Sequence, residues 1–227
     1  MHQIALDPVL LDRLMRERGG RLHVFGDLDP VRTAHLVIDM QNGFMEPGAP
    51  VEVPTARAIV PNVNRIAAAV REAGGRNVWV RFTTRLDALD SWSSFYARFS
   101  KETREGHQQA FAPGAHGHAL WPDLEVADED WTVDKARFAA FIPGTCDLHG
   151  MLGDAGIDTL IITGTLTNCC CESTARDAMQ LNYKVIFVSD ANATLTDTEH
   201  NATLNNMAAL FCDVMSTDEV VAALEQA

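Results

Sequence analysis

Long apolar runs are absent from this sequence. No stretch approaches the roughly 18 apolar residues that a membrane-spanning helix needs, so no membrane partner is expected. Basic residues are scarce: 18 Lys and Arg stand against 31 Asp and Glu, a formal net charge of −13. No Lys/Arg cluster offsets that charge, which argues against a nucleic-acid partner. The first residues mix Asp7, Asp12 and Glu17 with Arg13, Arg16 and Arg18 and lack the uninterrupted apolar core of a signal peptide. A cytoplasmic location is therefore expected. No CxxC pair suggests zinc or a redox motif, and no GxSxG suggests a serine hydrolase.

What is present suffices for one core. The chain has 227 residues, 47% of them hydrophobic, an ordinary size for a single α/β domain. Its five cysteines are odd in number, and Cys169, Cys170 and Cys171 are consecutive. Adjacent cysteines make poor staples, so the pattern fits a reduced protein with a reactive thiol.

Punctuation marks the elements. Asp7 caps a helix that Pro8 opens and Gly19-Gly20 stops. Residues 1–30 read as a helical arm, packed on the body or on a partner subunit, and 31–227 as the domain. Apolar runs at His35–Asp39, Asn77–Phe82, Asp130–Asp134, Thr159–Thr163, Lys184–Val188 and Phe211–Met215 read as strands. Helical spacing or composition marks Arg57–Glu72, Asp147–Ala155, Glu172–Leu181 and Thr198–Leu210. Alternation of this kind implies crossovers and a mostly parallel six-stranded sheet in a three-layer α/β/α, Rossmann-like fold. The stretch from Thr83 to Leu124 is long and weakly patterned. Its aromatics, Trp92, Phe95 and Tyr96 among them, are candidates for a lid or an interface.

In such sheets, sites form beyond the carboxyl ends of the strands. Asp39 ends the first strand, Lys135 follows the third, and the fourth runs into a loop and helix carrying the three cysteines. A helix N-terminus and a nearby Lys favour thiolate, and free backbone N–H groups there can hold an oxyanion. The Asp and the cysteines each have a plainer reading alone: an Asp that caps a turn, a buried cysteine that packs.

The motifs around these residues point further. Leu36-Val-Ile-Asp-Met-Gln-Asn-Gly-Phe44, Lys135 to Phe141 with Thr145, and Gly164 to Ala178 resemble, in the same order, the three segments of isochorismatase-like cysteine hydrolases. The resemblance spans roughly Leu36 to Val214 and leaves out the N-terminal arm. It implies the isochorismatase fold, a homodimer or homotetramer, and no cofactor beyond a small-molecule substrate. It also implies a triad of Asp39, Lys135 and Cys170, since the family's nucleophile lies two residues before the Glu, here Glu172. A cis peptide is implied at Thr165–Leu166, and an oxyanion hole from the N–H groups of Leu166 and Cys170. Lys135 would keep the thiolate stable. Phe44 would wall the pocket and Gln41 would orient Asp39 or the substrate. By position alone, Arg81 and Arg85, which follow the second strand, are candidates to meet a substrate carboxylate, and Trp92 and Tyr96 to close over the substrate as a lid. Gly43 and Ala139 depart from the more frequent Asp and Ser.

Members that hydrolyse the vinyl ether of isochorismate typically lack the cysteine, so the resemblance implies the amidohydrolase branch. A small amide, ureido or carbamoyl compound is the expected substrate, and a ureidoacrylate-like one is the first expectation from Thr167–Thr174. A vinyl ether hydrolase and a non-catalytic scaffold are the rival readings. Nicotinamidases of the family hold a metal with His residues after the second strand. Here that stretch is Arg81-Phe-Thr-Thr-Arg-Leu-Asp-Ala88, so no metal is expected, although His107, His116 and His118 cluster in sequence.

Overall fold

Apolar runs with few breaks become the strands of one sheet, and the segments of helical spacing cover its faces. The computed structural model describes residues 1–227. Helix α1 (Pro8–Glu17) precedes strand β1 (Thr33–Ile38), the one-turn helix α2 (Asn42–Met45), helix α3 (Val60–Glu72) and strand β2 (Arg76–Phe82). Helices α4 (Ala88–Ser91), α5 (Ser93–Tyr96) and α6 (Lys101–Ala110) lead to strand β3 (Trp131–Lys135). Then come α7 (Leu148–Asp154), β4 (Thr159–Thr165), α8 (Glu172–Gln180) and β5 (Lys184–Ala193). Helix α9 (Asp197–Asn206), β6 (Asp213–Met215) and α10 (Thr217–Glu225) complete the chain.

The sheet order is β3-β2-β1-β4-β5-β6, and every pairing is parallel. The chain builds outward from β1 to one edge, returns to lay β4 beside β1, and builds to the other edge. The reversal leaves a crevice between the ends of β1 and β4, where ligands bind in open α/β sheets. Side chains alternate along each strand. Leu36 and Ile38 pack into a core with α7 and α8, whereas Val37 packs on the other face with α3 and α10. Both faces of the sheet are covered, giving the three layers.

The arm belongs to the same body. Leu14 of α1 enters the core, and Arg18 donates to Asp213 (3.0 Å) and to the Ala208 carbonyl (3.0 Å). Three expectations shift. The Thr83–Leu124 stretch is more ordered than its pattern suggests, because it carries α4, α5 and α6. Helix α6 starts where Ser100 Oγ accepts from Thr103 N (3.2 Å), but Thr103, His107 and Ala110 form its inner face, so no apolar period marks it. Helix α10 has no counterpart in the expected elements, although Ser216 and Glu219 form a complete capping box. The helix expected over Thr198–Leu210 ends at Asn206 and passes into a wider π turn at Met207–Phe211.

Burial on both faces also controls a titration. His35 of β1 is fully buried, with Nδ1 3.0 Å from Asn77 Oδ1 and Nε2 2.8 Å from Thr163 Oγ1. Loss of hydration lowers its pKa from 6.5 to about 4, against the opposing hydrogen bond from Asn77. The unfolded chain therefore binds this proton at a higher pH than the folded one. Its contribution is intact above pH 6.5 and is lost as pH falls from there towards 4, about 3 kcal/mol in all. Denaturant titrations of wild type and His35→Gln across that window should show a steeper loss in wild type. Parallel curves would remove His35 as the cause.

Candidate active site

Strands β1 and β4 meet unusually closely at their carboxyl ends. Gly164 pairs with Ile38, and an added Cβ there would overlap the Ile38 carbonyl. Its φ of +116° also suits glycine alone. This contact sets the residue after β1 against the turn after β4. Asp39 follows Ile38 with φ +54°, a left-handed conformation that costs a residue with a Cβ roughly 1 kcal/mol or more. Its N–H donates to the Val80 carbonyl (2.8 Å). The strand end is thereby pinned to β2.

Lys135 is the last residue of β3, one position earlier relative to the strand end than its sequence context suggests. Its Nζ donates to Asp39 Oδ2 (2.8 Å) and to the Arg137 carbonyl (3.1 Å). Both side chains are 0% exposed. Burial acts to lower the Lys135 pKa, but the Asp39 carboxylate and Cys170 overcome it and hold the ammonium well above its ordinary range. Burial pushes Asp39 up, and Lys135 only partly offsets this. The result is a fixed cation with one compensating negative charge.

Cys170 lies in a π turn, Thr167–Cys171, between β4 and α8. Cys170 is close enough to Asp39 for each to shift the other's pKa, and Asp39 Oδ1 is buried with no hydrogen-bond partner in the protein. The hydrogen bond with Cys169, burial and the Asp39 charge all raise the Cys170 pKa, against Lys135. The charge that Lys135 holds directly is Asp39, 2.8 Å away, and the effect of Lys135 on Cys170 itself favours the thiolate. The Leu166 N–H makes no hydrogen bond within the protein, and the Thr165–Leu166 peptide is cis.

Motif residues hold the turn from outside. Glu172 accepts from Arg176 (2.9 and 2.6 Å) and from Thr203 Oγ (2.7 Å), joining α8 to α9. Thr174 Oγ accepts from Ala140 N (3.2 Å), joining α8 to the segment after Lys135. His200 Nδ1 meets Thr167 Oγ (2.9 Å), and its Nε2 meets the Ser189 carbonyl (2.9 Å). His200 carries no recognisable local signal, because its partners are 33 and 11 residues away.

A cavity of about 410 Å³ opens over Cys170, with Leu166, Phe44, Phe95 and Phe138 in its wall. Phe44 and Tyr96 line it, as does Cys169. The other expected substrate contacts lie elsewhere. Gln41 is fully used as a clamp: its amide nitrogen donates to the Phe82 and His118 carbonyls (3.0 and 2.9 Å), and its oxygen accepts from Phe82 N (2.7 Å). Arg81 alternates with Phe82 along β2 and points away from the cavity, paired with Asp134 (2.8 Å). Arg85 is held by Asp87 (3.4 Å) and the Gly144 carbonyl (3.3 Å). Trp92 stands behind the wall, stacked on Phe95 at 4.4 Å and edge-on to Phe138 at 4.8 Å. Gly43 is explained by Phe111, whose ring would lie 2.5 Å from an added Cβ.

The clustered histidines separate. His107 meets the Tyr96 hydroxyl (3.2 Å), His116 pairs with Glu46 (2.8 Å), and His118 meets Thr83 Oγ (2.7 Å). No group of three or more His, Cys, Asp or Glu is placed to hold a metal ion. The residues after β2 therefore do not fit the metal site of the nicotinamidases.

Fold and site together define a three-layer α/β protein with a buried carboxylate, ammonium and thiol at the sheet's switch point. The chain belongs to the isochorismatase family of hydrolases: the family's Isochorismatase domain matches residues 33–219. It is 34% identical over 180 residues to the isochorismatase family protein YwoC of Bacillus subtilis, covering 78% of this chain and 86% of that one. It is 30% identical over 175 residues to the ureidoacrylate amidohydrolase RutB of Cronobacter turicensis, covering 71% and 75%. A crystal structure of a cysteine hydrolase from Pseudomonas syringae pv. phaseolicola superposes with a TM-score of 0.79 at 29% identity, covering 88% of this chain and 95% of that one. No helix is long and apolar enough to cross a membrane.

Proposed function

We propose that this chain hydrolyses a C–N bond of a small amide, ureido or carbamoyl compound through a thioester on Cys170. The observation that carries the reading is the fully buried Asp39–Lys135 ion pair set beside Cys170, which lines a cavity. Its similarity to a protein named ureidoacrylate amidohydrolase supports the amide class.

Asp39 takes the Cys170 proton as the sulfur attacks the carbonyl carbon. Negative charge moves from carboxylate to sulfur to substrate oxygen, and Lys135 stays close enough to balance it. The Leu166 and Cys170 N–H groups receive the oxyanion. Asp39 then gives its proton to the departing nitrogen, which leaves as ammonia or an amine. A water molecule, losing its proton to Asp39, adds to the thioester carbonyl, and collapse releases the acid and restores the thiol. The raised pKa of Asp39 suits a group that must both accept and return a proton.

The test is a panel of ureides, carbamates, aliphatic and aromatic amides and isochorismate, assayed with wild type and Cys170→Ala in parallel. Cys170-dependent release of ammonia or amine from a panel member is the expected result. Turnover of isochorismate alone, undiminished in the variant, would sink the reading.

A further inference from the structure

One polar group in the cavity wall takes no part in this chemistry. His107, on the inner face of α6, lines the cavity within an aromatic cage. Its ring centroid lies 5.3 Å from Phe82, 5.2 Å from Phe111 and 5.8 Å from Tyr96. Burial lowers its pKa to about 4, so the imidazole is neutral at pH 7 and carries one hydrogen. Nδ1 lies 3.2 Å from the Tyr96 hydroxyl. With the Tyr96 hydroxyl donating to Nδ1, the ring hydrogen sits on Nε2. Nε2 has no partner within the protein, although it is not sealed from contact.

Two charged groups near the cavity are already paired. Lys135 is taken by Asp39. The Glu52 carboxylate is held by Gly48 N (2.8 Å) and Arg57 (2.9 Å). Arg104, one turn before His107, also lines the cavity. Most of the lining is hydrocarbon and aromatic, which favours an acyl group without charge.

We propose that His107 is a specificity-determining residue, whose Nε2–H reads a neutral hydrogen-bond acceptor on the acyl group of an uncharged, hydrocarbon-bodied amide. A buried donor left unpaired by a plain hydrocarbon ligand penalises that ligand, and this is how a polar group in an apolar pocket discriminates. The inference rests on Cys170 chemistry to say which end of the ligand faces the thiol. Recognition by His107 can still be measured without turnover.

The experiment uses Cys170→Ala protein and calorimetric binding of phenylacetamide, its three ring-methoxy isomers, and carboxylate-bearing phenylacetamide. One methoxy isomer is expected to bind about five- to tenfold more tightly than phenylacetamide. Adding His107→Leu should erase that preference, with phenylacetamide binding at least as tightly as in the parent because no donor is left unpaired, while His107→Gln, which keeps an N–H donor, should restore part of it. Thermal melts of each variant separate lost recognition from lost fold. A preference that survives His107→Leu, no preference among the isomers, or no binding by any panel member would overturn the proposal. Tightest binding of the carboxylate would also overturn it and assign recognition to Arg104. Turnover of the same compounds by wild type is read separately: His107-dependent binding without Cys170-dependent turnover would reject the thioester reading and leave the His107 assignment standing.

Discussion

Cys170→Ala should lower kcat/KM on any amide substrate by 10³-fold or more, on the order seen when an enzymatic nucleophile is removed. The change deletes a sulfur that faces an existing cavity, so little new void forms and the melting temperature should stay near that of wild type. Cys169→Ala should keep substantial activity. Cys169 also lines the cavity, but Cys170 is the one buried beside the Asp39–Lys135 pair and stands two residues before Glu172, where the motif has its nucleophile. Cys171→Ala should likewise keep activity, because that thiol points away, towards the Thr163 carbonyl at 3.9 Å. The measurement is steady-state kinetics of the three variants with melts alongside. If Cys169→Ala were as inactive as Cys170→Ala, the nucleophile would be misplaced by one residue.

Lys135→Met should damage both stability and activity, and the two losses should separate. Removing one partner of a fully buried ion pair typically costs about 3–5 kcal/mol, because the other charge is left without compensation. Here the remaining carboxyl has a second option. Lys135 is what holds the Asp39 pKa down against burial, so without it Asp39 takes up a proton instead. A protonated Asp39 cannot accept the Cys170 proton. Activity should therefore vanish near neutral pH, and the acidic limb of the pH–rate profile should move to higher pH in the variant. The double variant Asp39→Asn/Lys135→Met should recover much of the lost stability, since no charge is left unpaired, and none of the activity. Denaturant unfolding and pH–rate profiles read the two effects. A wild-type acidic limb in Lys135→Met would mean that the ammonium does not govern Asp39.

Much of the architecture was legible. The apolar runs at Leu36–Ile38 and Leu160–Ile162 have no polar alternation, which by itself argues for strands covered on both faces. The reactive residues were legible as a set because each sits at a strand's carboxyl end within a recognisable motif. The substrate wall was harder. Arg81 and Phe82 are neighbours in sequence, yet strand pleating sends them to opposite sides, and a one-residue ambiguity in register decides which one meets the substrate. Gln41 looked like a substrate ligand because it stands beside Asp39. Its three hydrogen bonds to the backbone near residues 82 and 118 exist only once β2 and the segment after α6 have folded around it. Helix α6 escaped notice because its inner face is Thr103, His107 and Ala110 rather than an aliphatic stripe.

The sequence alone determined the fold class and the order of its strands, and its motifs nominated one carboxylate, one ammonium and one thiol. Periodicity and motif order are local properties, carried by residues a few positions apart. Only the tertiary structure decided the burial of the site and the lining of its cavity. Whether Cys170 rests as thiol or thiolate depends on burial and on charges brought from residues 39, 135 and 169 to one point. Desolvation and Coulomb energy act through distance in space, and chain separation does not encode that distance. The same holds for His107, an exposed-looking residue of a polar helix until Phe82, Tyr96 and Phe111 close around it and leave one nitrogen for a ligand.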